Sequence, residues 1–197
     1  MRRPTSKRGR SPGFLASRRL DNLSTTVNDL FQKAVENEQS LQRFQRFELK
    51  LLDVADLESL LDMLLVNSLN YFRLNAVELW LYDPQGTLSE LLASSVSIPG
   101  LRLLPHQDQL TALYGRHPAV KLASLIDLKE LGVFADEQQR SAALLPLIRQ
   151  GVLVGSLHFG AEGHQRFTTD KSTDFITHLA SVVAVCLENA VNQERLV

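Results

Sequence analysis

The chain has 197 residues, 44% of them hydrophobic, and a formal net charge of −1. That is enough for one ordinary domain plus additional segments. A single cysteine, Cys186, excludes an internal disulfide framework and leaves too few thiols for a structural zinc site.

The basic charge is concentrated at the start. Residues 1–19 carry Arg2, Arg3, Lys7, Arg8, Arg10, Arg18 and Arg19 and no acid, so the remainder is acidic overall. Ser, Pro and Gly accompany these charges, and only Phe14 is an interleaved aromatic. That composition predicts a disordered basic tail over 1–19; a nucleic-acid or membrane-surface arm is the alternative, disfavoured by the lack of interleaved aromatics. "GFLAS" is too short for a signal-peptide core, and no run reaches the roughly 18 apolar residues of a membrane span. The chain is therefore expected to be cytoplasmic.

From Leu20 the pattern becomes helical. Leu20, Leu23, Val27, Leu30, Ala34, Asn37, Leu41, Phe44, Glu48 and Leu51 follow alternating three- and four-residue steps, and only Asn37 and Glu48 interrupt the apolar stripe. No Gly or Pro occurs between residues 20 and 52. Heptads sustained this long predict a coiled-coil dimerisation helix over 20–53, with Leu20, Leu23, Val27, Leu30, Asn37, Leu41, Phe44 and Leu51 on its seam. An amphipathic helix packed on its own core is the alternative. A second helix is expected from Leu57 to Phe72, capped by Asp56. "AVELWLYD" then alternates with period two, with Val77, Leu79 and Leu81 on one face and Glu78, Trp80 and Tyr82 on the other. "DPQG" (Asp83–Gly86) reads as a turn and "TLSELLASS" as a returning strand, which makes 76–95 a hairpin.

The middle is irregular, punctuated by Pro99, Pro105 and Pro118. Helical pieces are expected at Gln107–Tyr114 and Leu128–Phe134, and a strand at Leu122–Ile126. "SAALLPLIRQGVLVGSLHFG" (Ser141–Gly160) is a second hairpin broken at Arg149-Gln150-Gly151. A long helix closes the chain, capped by Thr169 or Asp170, with Ile176, Leu179, Val183, Cys186 and Ala190 as its stripe. Hairpins between terminal helices imply an α+β domain with an antiparallel sheet.

No phosphate-cradling loop, nucleophile elbow or paired-histidine metal helix occurs in the chain. His106, His117, His158, His164 and His178 lack metal-ligand spacing, so no metal and no cofactor is expected. Cys186 on an apolar stripe reads as a small core residue. Strand periodicity places Ser156 and His158 on one face. If that is the face of Glu78, Trp80 and Tyr82, these five residues form a ligand pocket; the alternative is that they pack the covering loops.

The hairpin "SAALLPLIRQGVLVGSLHFG", followed by "RFTTD" and "STDFITHLASVVAVCLENA", resembles the end of a GAF domain. "DLESLLDMLLVNSLNYFRLNAVELWLYD" resembles its beginning, so the likeness spans residues 54–195. "LYGRHPAVKL" and "FADEQQRSAALLPL" are similar to a bacterial GAF-like group of unknown function, found alone or before a GGDEF diguanylate cyclase domain. The resemblance implies a central sheet with a helical, dimer-facing layer on one side and a pocket under irregular loops on the other. Gly155 would allow a ligand to approach the sheet, or would simply relieve tight packing. The cyclic-nucleotide Asn-Lys-Phe-Asp-Glu motif, a bilin-attaching cysteine and the GGDEF signature are missing. The implied function of residues 54–197 is that of a non-catalytic sensory domain. It would form a homodimer, respond to a small molecule and signal through its last helix to a diguanylate cyclase in cyclic di-GMP signalling. A dimerisation or localisation scaffold without a ligand is the alternative. A methionine sulfoxide reductase of this fold would need several pocket cysteines.

Overall fold

A computed structural model describes residues 12–93, 97–124, 132–134, 138–168 and 173–196. Contacts within the chain divide it into two units, residues 1–43 and 44–197. The first is the leading part of helix α1 (Pro12–Leu52). The helix begins at Pro12, ahead of the expected Leu20; proline suits a first helical turn because its ring presets φ and its missing N–H has no intrahelical role there. Residues 1–11, the remainder of the expected tail, lie outside the described residues, as do the side chains of Leu20, Leu23 and Val27. Leu30 and Phe31 are 62% and 71% exposed, and Ala34 and Asn37 are also exposed.

The second unit begins with the end of α1, where the stripe changes role. Leu51, expected on a dimer seam, is buried with Phe47 in the domain's own core. Phe44, half-buried, stacks 4.8 Å from Phe72, which in turn lies 4.8 Å from Phe47 and 5.7 Å from Phe159. Intramolecular aromatic packing thus takes up the last turns of the heptad pattern. Glu48, which interrupts the stripe, accepts a 2.9 Å hydrogen bond from His178 Nδ1.

The expected second helix exists in three parts. α2 (Leu57–Asp62) and α3 (Ser68–Phe72) flank a π-helical turn, Met63–Asn67. Asp56 caps α2 by accepting from Ser59 N at 2.7 Å. Strand β1 (Ala76–Tyr82) follows, but the expected hairpin partner does not. Thr87–Leu91 forms helix α4, and the next strand, β2 (Leu101–Leu104), lies parallel to β1. The cause is Asp83. Its carboxylate accepts from Leu88 N, Ser89 N and Ser89 Oγ at 3.1, 3.0 and 2.9 Å, so the turn initiates a helix instead of returning the chain.

Helix α5 (Asp108–Tyr114) and strand β3 (Lys121–Ser124) match their expected positions within a few residues. The helix expected over Leu128–Phe134 falls mostly outside the described residues. Strands β4 (Ser141–Arg149) and β5 (Val152–Ala161) make the second hairpin. Gln150 and Gly151 have φ of 49° and 79°, the left-handed pair that a two-residue hairpin turn requires. Helix α6 (Asp174–Glu194) closes the chain with Thr173 at its N-cap position; Thr169 and Asp170 lie outside the described residues.

The described strands form one sheet in the order β2-β1-β5-β4-β3, antiparallel except for β1–β2. Alternation sends Val77, Leu79, Leu81, Leu145, Leu147, Leu157 and Phe159 toward α2, α3, α6 and the end of α1. Trp80, Ala142 and Leu144 point the other way, against Leu110, Leu113 and Tyr114 of α5 and against Val133. α6 is long and apolar enough to cross a membrane, but its stripe (Ile176, Leu179, Val183, Leu187 and Ala190) is buried in the core. Cys186 is buried with it, and desolvation raises its thiol pKa, as for an inert core residue.

Gly155 is a packing residue. A Cβ there would stand 2.5 Å from the Trp80 carbonyl and 2.9 Å from Leu81 Cδ2. The space it leaves is filled by the neighbouring strand, so no ligand approaches through it. Gly155→Ala must part β1 from β5, and the expected cost is about 1–3 kcal/mol. Urea unfolding should show a lower midpoint with an unchanged slope; an unchanged midpoint would show that the ladder has slack at this position.

Candidate functional site

The pairing of β1 with β5 sets Glu78 opposite His158 and Trp80 opposite Ser156. All four are buried, Ser156 and His158 completely. The structure therefore brings together four of the five residues read as a pocket. Trp80 Nε1 donates to Glu78 Oε2 at 3.2 Å, and the Trp80 ring meets His158 edge-on at 4.8 Å. Arg102, from β2, places its guanidinium 4.6 Å from the Trp80 ring and Nη2 4.0 Å from Glu78 Oε2.

Tyr82 packs against the same cluster from its edge. It lies past the last β1–β5 pair, is half-buried, and also lines a separate cleft of about 260 Å³ with Asp83, Arg149, Glu188 and Arg195.

Tyr114 takes the place that Tyr82 was expected to fill. Its hydroxyl lies 2.5 Å from Ser156 Oγ, and Ser156 Oγ lies 2.6 Å from His158 Nε2. Burial pushes the Tyr114 phenol well above its usual range, so it stays protonated. Ser156 Oγ bridges the Tyr114 hydroxyl and His158 Nε2 and lies 3.4 Å from the Leu145 carbonyl, and the His158 tautomer sets which group donates along this chain. The other ring nitrogen, Nδ1, has no hydrogen-bonding partner among the described residues. The only sequence signal for Tyr114 is its place on an apolar helix face. Its partner comes from a strand 42 residues away, which periodicity does not reveal.

His158 is neutral. Desolvation, reinforced by the nearby Arg102 charge, pushes its pKa down to about 3. The arrangement does not activate a nucleophile. Ser156 is sealed from solvent, and the carboxylate opposite His158 bonds to Trp80. It is a rigid polar row suited to recognition. Among the described residues no cluster of histidine, cysteine, aspartate or glutamate has metal-site geometry.

Two further residues, unremarked in the sequence, cover the row. A Cβ on Gly160 would lie 2.6 Å from Gln139 Cγ and 3.0 Å from two ring carbons of Phe134, so the missing side chain lets both lie flat on β5. Phe134 also faces His158, with ring centroids 6.4 Å apart. Gln139 is buried, and its Oε1 is unpartnered among the described residues. Phe134 and Glu78 also line an open groove of about 1000 Å³ that runs along the π-turn, past Leu61, Leu65 and Ile98.

A mixed sheet with this strand order, helices of both chain ends on one face and a covered polar row on the other is the fold of a GAF domain. The structure is similar to the GAF domain from Acinetobacter phosphoenolpyruvate-protein phosphotransferase, with a TM-score of 0.57 and 13% identity over 77% of this chain and 94% of that one. It is also similar to the GAF domain from a phosphoenolpyruvate-protein phosphotransferase of Coxiella burnetii, with a TM-score of 0.56 and 19% identity over 79% and 96%. Residues 14–192 match the family described as "Protein of unknown function, DUF484", and the chain belongs to that family. No curated protein matches it.

The buried imidazole has a consequence for stability. Between pH 6.5 and about 3 the unfolded chain binds a proton at His158 that the folded chain does not, so stability falls as pH falls through this window. From pH 7 to pH 5 this one group removes about 2 kcal/mol. In urea titrations the wild type is expected to lose that amount relative to His158→Gln. Parallel pH profiles for the two proteins would mean that the ring is not held neutral.

Proposed function

We propose that the chain is a non-catalytic regulatory domain that senses a small molecule at the Glu78–Trp80–Ser156–His158 face. In this reading it works as a cytoplasmic homodimer and passes the signal through α6 to an output domain, a diguanylate cyclase in cyclic di-GMP signalling. The observation that carries the sensory part is the buried polar row itself. A neutral histidine, a serine and a tyrosine buried in one row are costly in a purely structural core and useful for recognising a ligand. The two phosphotransferase GAF domains, named as parts of a larger enzyme, accord with an accessory role.

Dimerisation rests on α1. Leu30 and Phe31 are exposed on a helix whose heptads continue back to Leu20, and such apolar surface is normally covered. A ligand would act by binding two arrangements of the helices unequally, since equal affinity shifts nothing.

Light scattering on the full chain tests the assembly. The wild type is expected to be a dimer. The double substitution Leu23→Lys with Leu30→Lys, which places charge on the seam, is expected to be a monomer with an unchanged domain unfolding midpoint. A dimer that survives the substitution would move the interface off this stripe. A dimer that retains no small molecule when purified from cells, and whose melting temperature no metabolite raises, would favour the scaffold reading.

A further inference from the structure

We infer that the surface along α2 and the π-turn docks the basic amino-terminal segment of a second copy of this chain, and that the two α1 helices of the dimer run antiparallel. This deepens the dimer reading above and rests on it.

Apolar surface is left open here. Leu49 and Leu52, in the last turns of α1, are 63% and 60% exposed, and Val66 on the π-turn is 53% exposed. Val66 and Val54, the latter two residues past Leu52, line the groove of about 1000 Å³, walled by Leu61, Leu65, Leu69 and Ile98. An open groove with exposed apolar residues on its rim suits an amphipathic segment from another chain. The charge around it has one sign. Asp53, Asp56, Glu58 and Asp62 are exposed, and no Lys, Arg or His occurs between residues 51 and 72. Glu58 and Asp62 line the groove itself. The occupant that fits combines apolar residues with positive charge.

The chain contains such a segment. Residues 1–19 hold seven bases and no acid, with Phe14 and Leu15 among them. Its length assigns it to a second copy. α1 is a single helix of 41 residues, about 60 Å long, and the eleven residues ahead of it extend at most about 40 Å. Antiparallel pairing brings Pro12 of one copy level with Leu52 of the other, where α1 ends and the acidic stretch begins. The heptad closes in that direction. Positions 23, 27 and 30 fall against positions 41, 37 and 34, so the seam stays apolar except at Asn37. Arg43, Arg46 and Lys50 repel the arriving segment from the end of α1 and direct it onto α2. Parallel pairing would instead set two segments of seven bases side by side.

Equilibrium sedimentation of the full chain at low salt, where exposed charges are least screened, tests the docking. The wild type is expected to dimerise. Replacing Arg8 and Arg10 by Glu, or Asp53 and Glu58 by Lys, is expected to raise the dimer dissociation constant about tenfold, and combining the two pairs of changes to restore it. Restoration separates contact between the two segments from a general effect of charge. Nitroxide labels on Ser17→Cys, with Cys186→Ala as background, read the orientation. Position 17 falls level with position 47 of the other copy in the antiparallel pair, so the two labels stand about 45 Å apart, against about 10 Å in a parallel pair. The short distance, or a dimer indifferent to both charge reversals, would overturn the inference and leave the dimer reading standing. A wild type that stays monomeric would overturn both.

Discussion

Because Glu78 stands opposite His158 and Trp80 opposite Ser156, the β1–β5 ladder presses four side chains with polar atoms onto one side of the central sheet and turns Val77, Leu79, Leu81, Leu157 and Phe159 to the other. A slip of one residue would exchange the two faces, burying the polar row in the main core and exposing leucines to the loop layer. Gly155 guards the register from one end, since only a residue without Cβ fits beneath the Trp80 carbonyl. Everything recognised here as a site follows from that register. α5 supplies Tyr114 to Ser156, β2 supplies Arg102 to Trp80, and Gly160 opens the space that Phe134 and Gln139 occupy.

The cost of this arrangement falls on one face of the sheet. The leucine-rich face is satisfied by packing alone. The opposite face holds an imidazole whose charged form is suppressed and a phenol that cannot ionise near neutral pH. It also holds two polar atoms without partners among the described residues. A core built only for stability would have replaced such groups with hydrocarbons. Their retention fits a surface meant to meet another molecule, and the chemistry they offer is hydrogen bonding in a dry, neutral setting rather than acid–base turnover.

Much of the fold was legible from periodicity. The two-faced strand at 76–82, the second hairpin and the closing helix follow from alternation and from the Gln150-Gly151 break, and the GAF likeness followed from the same stretches. What failed was governed by single side chains acting at short range. Asp83 converts an apparent hairpin turn into a helix start, which alternation cannot foresee because "TLSEL" suits either outcome. Leu51 and Phe44 continue a heptad in sequence yet belong to the domain's own aromatic cluster, since a stripe does not say which surface will cover it. Within the site, Glu78, Trp80, Ser156 and His158 were readable because strand parity brings them together. Tyr114, Phe134 and Gln139 were not, because they reach the sheet from outside its strands, and Tyr82 lies one position beyond the β1–β5 pairs, where β1 pairs only with β2.

The central claim is that His158 is a neutral imidazole, clamped at Nε2 by Ser156 and buried on the polar face of the sheet. Nitrogen NMR of the labelled full chain reads this directly. The account predicts that the His158 resonances report a neutral ring and stay unchanged from pH 7 to pH 5. A His158 signal that titrates across this range would contradict it.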